Sequence, residues 1–222
     1  MSKPTIACIP GLGFTSAVYR KVDWGDHQPI MLEWLEPAAY GESIQAYAQR
    51  MLDQIPGDPE ELILIGHSFG GVMSQEMARL TKVKQVILVS SIRSPEEIPW
   101  RYRLFAPLKL DFLFRRGPSV LTLPLWGPAF GYKTSEEQAL FREMVSSQSN
   151  KSLQWSFRQL SGWKSLLPSP TPVHHIHGTD DRTLPFSKLK KVDDIMEDGS
   201  HIMVYNRAEE VSQLIMKAIK IA

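Results

Sequence analysis

The chain has 222 residues, 43% hydrophobic and 22% charged, a balance suited to one soluble globular domain with a substantial core. Its 25 Lys and Arg against 24 Asp and Glu leave a formal charge of +1, with no basic block of the kind that marks nucleic-acid binding. The single cysteine, Cys8, excludes an intramolecular disulfide and fits a reducing compartment.

The first apolar run, Ile6-Ala7-Cys8-Ile9, is too short for a signal-peptide core and predicts a strand with Cys8 as a small core residue. A glycine-containing loop follows, Pro10-Gly11-Leu12-Gly13-Phe14-Thr15-Ser16, then a short helix over 17–22. Pro29 to Trp34 is a second strand candidate. Ser43 opens a helix in which Ile44, Tyr47, Ala48, Met51, Leu52 and Ile55 form one apolar stripe, stopped by Pro56-Gly57. Leu62 to Ile65 has the length and isoleucine content of a buried strand. Beyond Gly66 the spacing of Met73, Met77 and Leu80 predicts a helix. Between the two stands Gly66-His67-Ser68-Phe69-Gly70. A chain that turns sharply at Ser68 leaves almost no room for side chains two residues to either side. It also holds the hydroxyl clear of the sheet, above a helix N-terminus. Gln85 to Ser90 is a further buried-strand run.

Strands alternating with helices imply a mostly parallel sheet with helices on both faces, an α/β fold. From about residue 93 to residue 170 that rhythm stops. The stretch holds Pro95, Pro99, Pro107, Pro118, Pro124 and Pro128, many aromatics (Trp100, Phe112, Trp126 and Trp155 among them) and two helical patterns, Glu136 to Ser146 and Lys151 to Trp163. Such an interruption in a compact domain is expected to be a lid or binding element. The chain is therefore read as one domain over 1–222 with a mainly helical cap inserted at about 93–170. Leu104 to Phe130 is too broken by charge and proline to span a bilayer. Strands resume at Pro172 to His177 and Val192 to Met196. A last helix is predicted from Asn206, with Glu209 placed for a capping box, burying Val211, Leu214, Ile215, Ala218 and Ile219.

A serine hydroxyl needs a base to take its proton, and the base needs an acid to orient it. Both follow the insertion. His177-Gly178-Thr179-Asp180-Asp181-Arg182-Thr183-Leu184-Pro185 is a strand end with an acidic loop, in which Asp180 and Asp181 are adjacent candidates. Asp198-Gly199-Ser200-His201-Ile202 puts a histidine in the loop before the last helix. Parallel sheets assemble their sites at such strand ends. His67 is expected to pack, not to act as base. His174, His175 and His177 are not expected to hold a metal: on a strand His175 and His177 share a face that His174 does not, and no fourth ligand stands at a recognisable spacing.

Over nearly its whole length the chain resembles an α/β-hydrolase. Gly66-His67-Ser68-Phe69-Gly70-Gly71 resembles the nucleophile elbow of that family, His177 to Pro185 its acid loop and Gly199-Ser200-His201 its histidine loop. Pro10-Gly11-Leu12-Gly13 resembles the oxyanion loop, with Pro10 where the family often has histidine. The resemblance implies Ser68 as nucleophile, His201 as base and Asp181, with three residues before Pro185, as the acid. It implies the backbone N–H groups of Leu12 and Phe69 as the oxyanion hole, and no cofactor. Because the chain begins close to the family's third strand, the sheet is expected to be smaller than the usual eight strands. The expected activity is cleavage of a carboxylic ester or thioester with an apolar acyl group through an acyl-enzyme. Carbon–carbon bond hydrolysis or acyl transfer by the same triad is the alternative, followed by a non-catalytic binding member of the fold. The expected partner is a small-molecule ester or thioester, with no nucleic acid and no membrane span. The expected location is cytoplasmic, and the oligomeric state is left open.

Overall fold

The computed structural model describes residues 3–108, 113–164 and 170–221. Its strands are β1 (Thr5–Ile9), β2 (Ile30–Met31), β3 (Leu62–His67), β4 (Gln85–Val89), β5 (Val173–Gly178) and β6 (Asp194–Met196). They pair in parallel throughout, in the order β2-β1-β3-β4-β5-β6. Of the four interior strands, β1, β3 and β4 are apolar runs because both of their faces are covered. Ile6, Cys8, Ile63, Ile65, Ile87 and Val89 enter one buried cluster, and Ala7, Ile9, Leu62, Leu64, Val86 and Leu88 the other. The alternation is the period-2 geometry of a strand.

One face is covered by α1 (Ile44–Leu52) and α2 (Phe69–Leu80), through Tyr47, Met51, Met73 and Met77. Ser43 caps α1 by accepting the Ala46 N–H. The other face is covered by residues of the last two helices, among them Met203, Val211 and Ile215. Between β4 and β5 the described residues hold no strand. They form α3 (Trp100–Arg103), α4 (Phe105–Leu108), α5 (Arg116–Leu121), α6 (Leu123–Phe130), α7 (Ser135–Ser147) and α8 (Asn150–Ser161). Phe112 lies outside the described residues. The insert is mainly helical, and α7 begins with a capping box between Thr134 and Glu137. Leu140, Phe141 and Met144 of α7 join the first buried cluster, whereas Trp155 and Leu160 of α8 join the second. The insert is thus packed into both cores, one on each side of the sheet. No described helix is long and apolar enough to cross a membrane.

Three local readings change. The helix predicted over 17–22 is a single 3-10 turn, Ser16–Tyr19. The second strand keeps only Ile30 and Met31 in register, followed by Leu32 donating to the Cys8 carbonyl, because it is an edge strand with one neighbour. The final helix is two helices, α9 (Met203–Asn206) and α10 (Ala208–Lys220), broken at Arg207. Asn206 does not cap: its side-chain amide donates to the Gly131 carbonyl and to Ser200 Oγ. The predicted capping box with Glu209 is therefore not formed. A contact to the insert outcompetes the local cap.

Candidate active site

At the carboxyl end of β3 the backbone reverses at Ser68, which has φ 53° and ψ −122°. This conformation costs a residue with a side chain on the order of 1–3 kcal/mol and needs support on both sides. The Ser68 N–H donates to the Val89 carbonyl at 3.0 Å, and Ser91 Oγ donates to the Ser68 carbonyl at 2.6 Å. The flanking glycines are sterically required. A Cβ on Gly66 would lie 2.4 Å from the Gly70 carbonyl oxygen, and one on Gly70 would lie 2.2 Å from the Ile9 carbonyl oxygen. Gly70→Ala must push α2 off β1. The expected cost is about 2–3 kcal/mol, read as a fall in Tm of roughly 5–10 °C. A Gly70→Ala protein melting with the native one would contradict this packing.

Ser68 Oγ donates to His201 Nε2 at 2.9 Å, and His201 Nδ1–H donates to Asp181 Oδ2 at 2.7 Å. The other carboxylate oxygen of Asp181 accepts the N–H groups of Thr183, at 2.9 Å, and Leu184, at 2.8 Å. Burial alone would raise the Asp181 pKa. The His201 imidazole, with the hydrogen bonds the carboxylate accepts, outweighs it and holds the group below the usual carboxylate range. The neighbouring Asp180 is exposed and paired with Arg182. All three side chains of the line are buried, Ser68 being 7% exposed.

Three further histidines surround this line. His67 Nε2–H donates to the His201 carbonyl at 2.9 Å and so holds His201 by its backbone. Burial, then the proximity of His201, lowers its pKa to about 3, so the ring is neutral. His177, its pKa also lowered by burial, lies 2.9 Å from the Leu184 carbonyl and 3.3 Å from Asp181 Oδ2. It is in contact with His175 across a 3.2 Å nitrogen pair, whereas His174 points to Asp194 on the opposite face. Among the described residues no three His, Cys, Asp or Glu side chains are grouped as metal ligands.

Ser68 opens into a cavity of about 490 Å³ between the sheet and the insert. Leu12 and Gly13 line it from the first loop, Phe114, Trp126, Phe130, Phe141 and Phe157 from the insert, and Thr183 and Leu184 from the loop after β5. No charged side chain is among the described lining residues. The insert also grips both loops of the line. Phe130 packs edge-on against His201 with centroids 5.2 Å apart, its carbonyl accepts the Ile202 N–H, and the Ala129 carbonyl accepts from Thr183 Oγ1.

A family model of the alpha/beta hydrolases matches residues 7–214. The chain belongs to the alpha/beta hydrolase family. Solved structures with the same fold include an epoxide hydrolase from Bacillus megaterium in complex with an inhibitor, at 16% identity and TM-score 0.72, covering 97% of this hydrolase and 93% of that chain. The N-acyl homoserine lactonase AidH superposes with TM-score 0.68 at 13% identity, over 99% and 89% of the two chains. A thermophilic esterase from Thermogutta terrifontis superposes with TM-score 0.64 at 16% identity, over 98% and 89%. A sequence comparison with curated proteins found no match.

The structure thus brings Ser68, Asp181 and His201 of this hydrolase to one place. Phe69 is the first residue of α2, where a backbone N–H has no carbonyl within the helix to bond, and Leu12 faces the same cavity. Sequence reasoning missed the contacts of His67 and His177 and that of Trp34, whose indole N–H donates to the Gly11 carbonyl at 2.9 Å. His177, four residues before Asp181 on a strand end, carried a usable signal; Trp34, beyond an edge strand of two residues, carried none.

Proposed function

We propose that this hydrolase cleaves a neutral carboxylic ester or thioester with an apolar acyl group, through an acyl-enzyme on Ser68. The observation that carries the reading is the unbroken line Ser68–His201–Asp181 ending at an uncharged, aromatic-lined cavity. Ser68 Oγ attacks the carbonyl carbon while its proton passes to His201 Nε2. The Asp181 carboxylate holds the resulting imidazolium. The carbonyl π electrons move to oxygen, and the Leu12 and Phe69 amides stabilise that oxyanion by roughly 3 kcal/mol per donor. Collapse breaks the bond to the leaving alcohol or thiol, which takes the proton from His201. Water, deprotonated by the same nitrogen, then releases the carboxylic acid and restores Ser68.

The cavity chemistry sets the substrate class. A charged acyl chain would lose its hydration among Phe114, Trp126, Phe141 and Phe157 with no counter-charge, whereas each buried methylene contributes about 0.8 kcal/mol. For p-nitrophenyl esters kcat/KM is therefore expected to rise about three- to four-fold per methylene from acetate until the cavity is filled. A preference for acetate over hexanoate would overturn this reading. Incubation with an alkyl fluorophosphonate should add one adduct mass, on Ser68; folded protein that takes up no reagent would refute the acyl-enzyme.

A further inference from the structure

Trp34 stands just beyond β2, outside the cavity lining, and its indole N–H donates to the Gly11 carbonyl oxygen at 2.9 Å. The same oxygen accepts the Phe14 N–H at 3.1 Å, closing the turn from Gly11 to Phe14. The Gly11 carbonyl and the Leu12 N–H belong to one planar peptide unit, on which the two groups point in opposite directions. Two donors on that carbonyl therefore fix where the Leu12 N–H points. The face of the same indole stacks on Phe69, with centroids 5.4 Å apart and planes at 28°. Its other neighbour is Tyr47, centroid 6.2 Å away, which is itself stacked on Trp155 of α8 at 4.1 Å. One ring thus touches the backbone of the segment that carries the Leu12 amide and the side chain of Phe69, whose own amide must converge with it on an oxyanion. Pro10 contributes no polar side chain to the same loop.

We infer that Trp34 is a positioning residue that orients the Leu12 amide against the Phe69 amide, without touching substrate. The inference rests on the acyl-enzyme reading for its catalytic consequence. A ring that merely fills space would be replaced by another ring at little cost; a ring that aims a peptide plane would not, because the N–H is the part that aims it.

Trp34→Phe keeps an aromatic face for Phe69 and removes the N–H. Its kcat is expected to fall about ten-fold with KM within about two-fold of native. Affinity for an alkyl trifluoromethyl ketone, which adds to a serine hydroxyl as a hemiketal oxyanion, should fall by the same factor as kcat/KM. The Leu12 amide should exchange with solvent faster in ¹H–¹⁵N spectra. An unchanged kcat, or a loss carried in KM and Tm alone, would overturn the inference. A native protein that neither cleaves esters nor takes up a fluorophosphonate would overturn the acyl-enzyme reading instead. The Leu12 amide then decides alone, and an unchanged exchange rate in Trp34→Phe overturns the positioning role.

Discussion

Ser68→Ala is expected to lower kcat for ester hydrolysis about a million-fold, and Asp181→Asn about ten-thousand-fold. The first removes the hydroxyl that His201 Nε2 faces at 2.9 Å, leaving no nucleophile in the line. The second acts through a tautomer. Asp181 Oδ1 already accepts from Thr183 and Leu184, so an asparagine keeps its carbonyl there and turns its NH₂ group towards His201 Nδ1. The imidazole must then carry its proton on Nε2, where it can no longer accept from Ser68. Because the three groups act as a unit, Ser68→Ala combined with Asp181→Asn should be no slower than Ser68→Ala alone. Steady-state rates on a mid-chain p-nitrophenyl ester, with Tm as the control for folding, decide the matter. Retention of more than a few per cent of native kcat by Ser68→Ala would remove Ser68 from the mechanism.

The second large effect is on stability against acid. His67 and His175 are buried, and burial, as the leading cause, lowers the pKa of each from 6.5 to about 3. Between those two values the unfolded chain binds protons that the folded chain excludes. Stability contributed by the neutral rings is therefore full above about pH 6.5 and is lost as pH falls towards 3. Each ring contributes a slope of about 1.4 kcal/mol per pH unit once the pH is well below 6.5. Two rings together remove about 4–5 kcal/mol between pH 6.5 and pH 4.5, a large part of the 5–15 kcal/mol typical of a domain. Asp181 adds to the loss at still lower pH, since its depressed pKa makes its contribution present above the unfolded value and lost below it. Urea midpoints measured from pH 7.5 to 4.5 should fall steeply. His175→Asn, which removes one of the two titrations, should flatten the slope by about one proton. A midpoint independent of pH over that range would show that these rings are solvated in solution.

Some parts of this fold are properties of short segments, and those were legible in the chain. β3 and β4 read as strands because a strand covered on both faces must be apolar at consecutive positions. The elbow read as an elbow because Gly66 and Gly70 leave no Cβ within 2.5 Å of the backbone that crosses them. The order of Ser68, Asp181 and His201 followed from loops at strand ends. The α1 boundary followed from Ser43, whose cap is made within three residues.

Other features arise only when distant segments pack, and no local pattern encodes them. Asn206 had the form of a helix cap, yet its amide serves Gly131, 75 residues earlier. The second strand candidate shrank to Ile30 and Met31 because pairing at a sheet edge depends on a single neighbour. The cavity lining is decided by how α5 to α8 lie over the sheet, so the aromatics that face Ser68 could not be told from those that hold the insert in place. Trp34 reaches Gly11 across 23 residues and Phe69 across 35, and His201 reaches Ser68 across 133. Backbone conformation and periodicity are set by each residue and its near neighbours in the chain. Which side chains meet is set by the parallel order of β1, β3, β4, β5 and β6, which places the loops after those strands along one edge of the sheet.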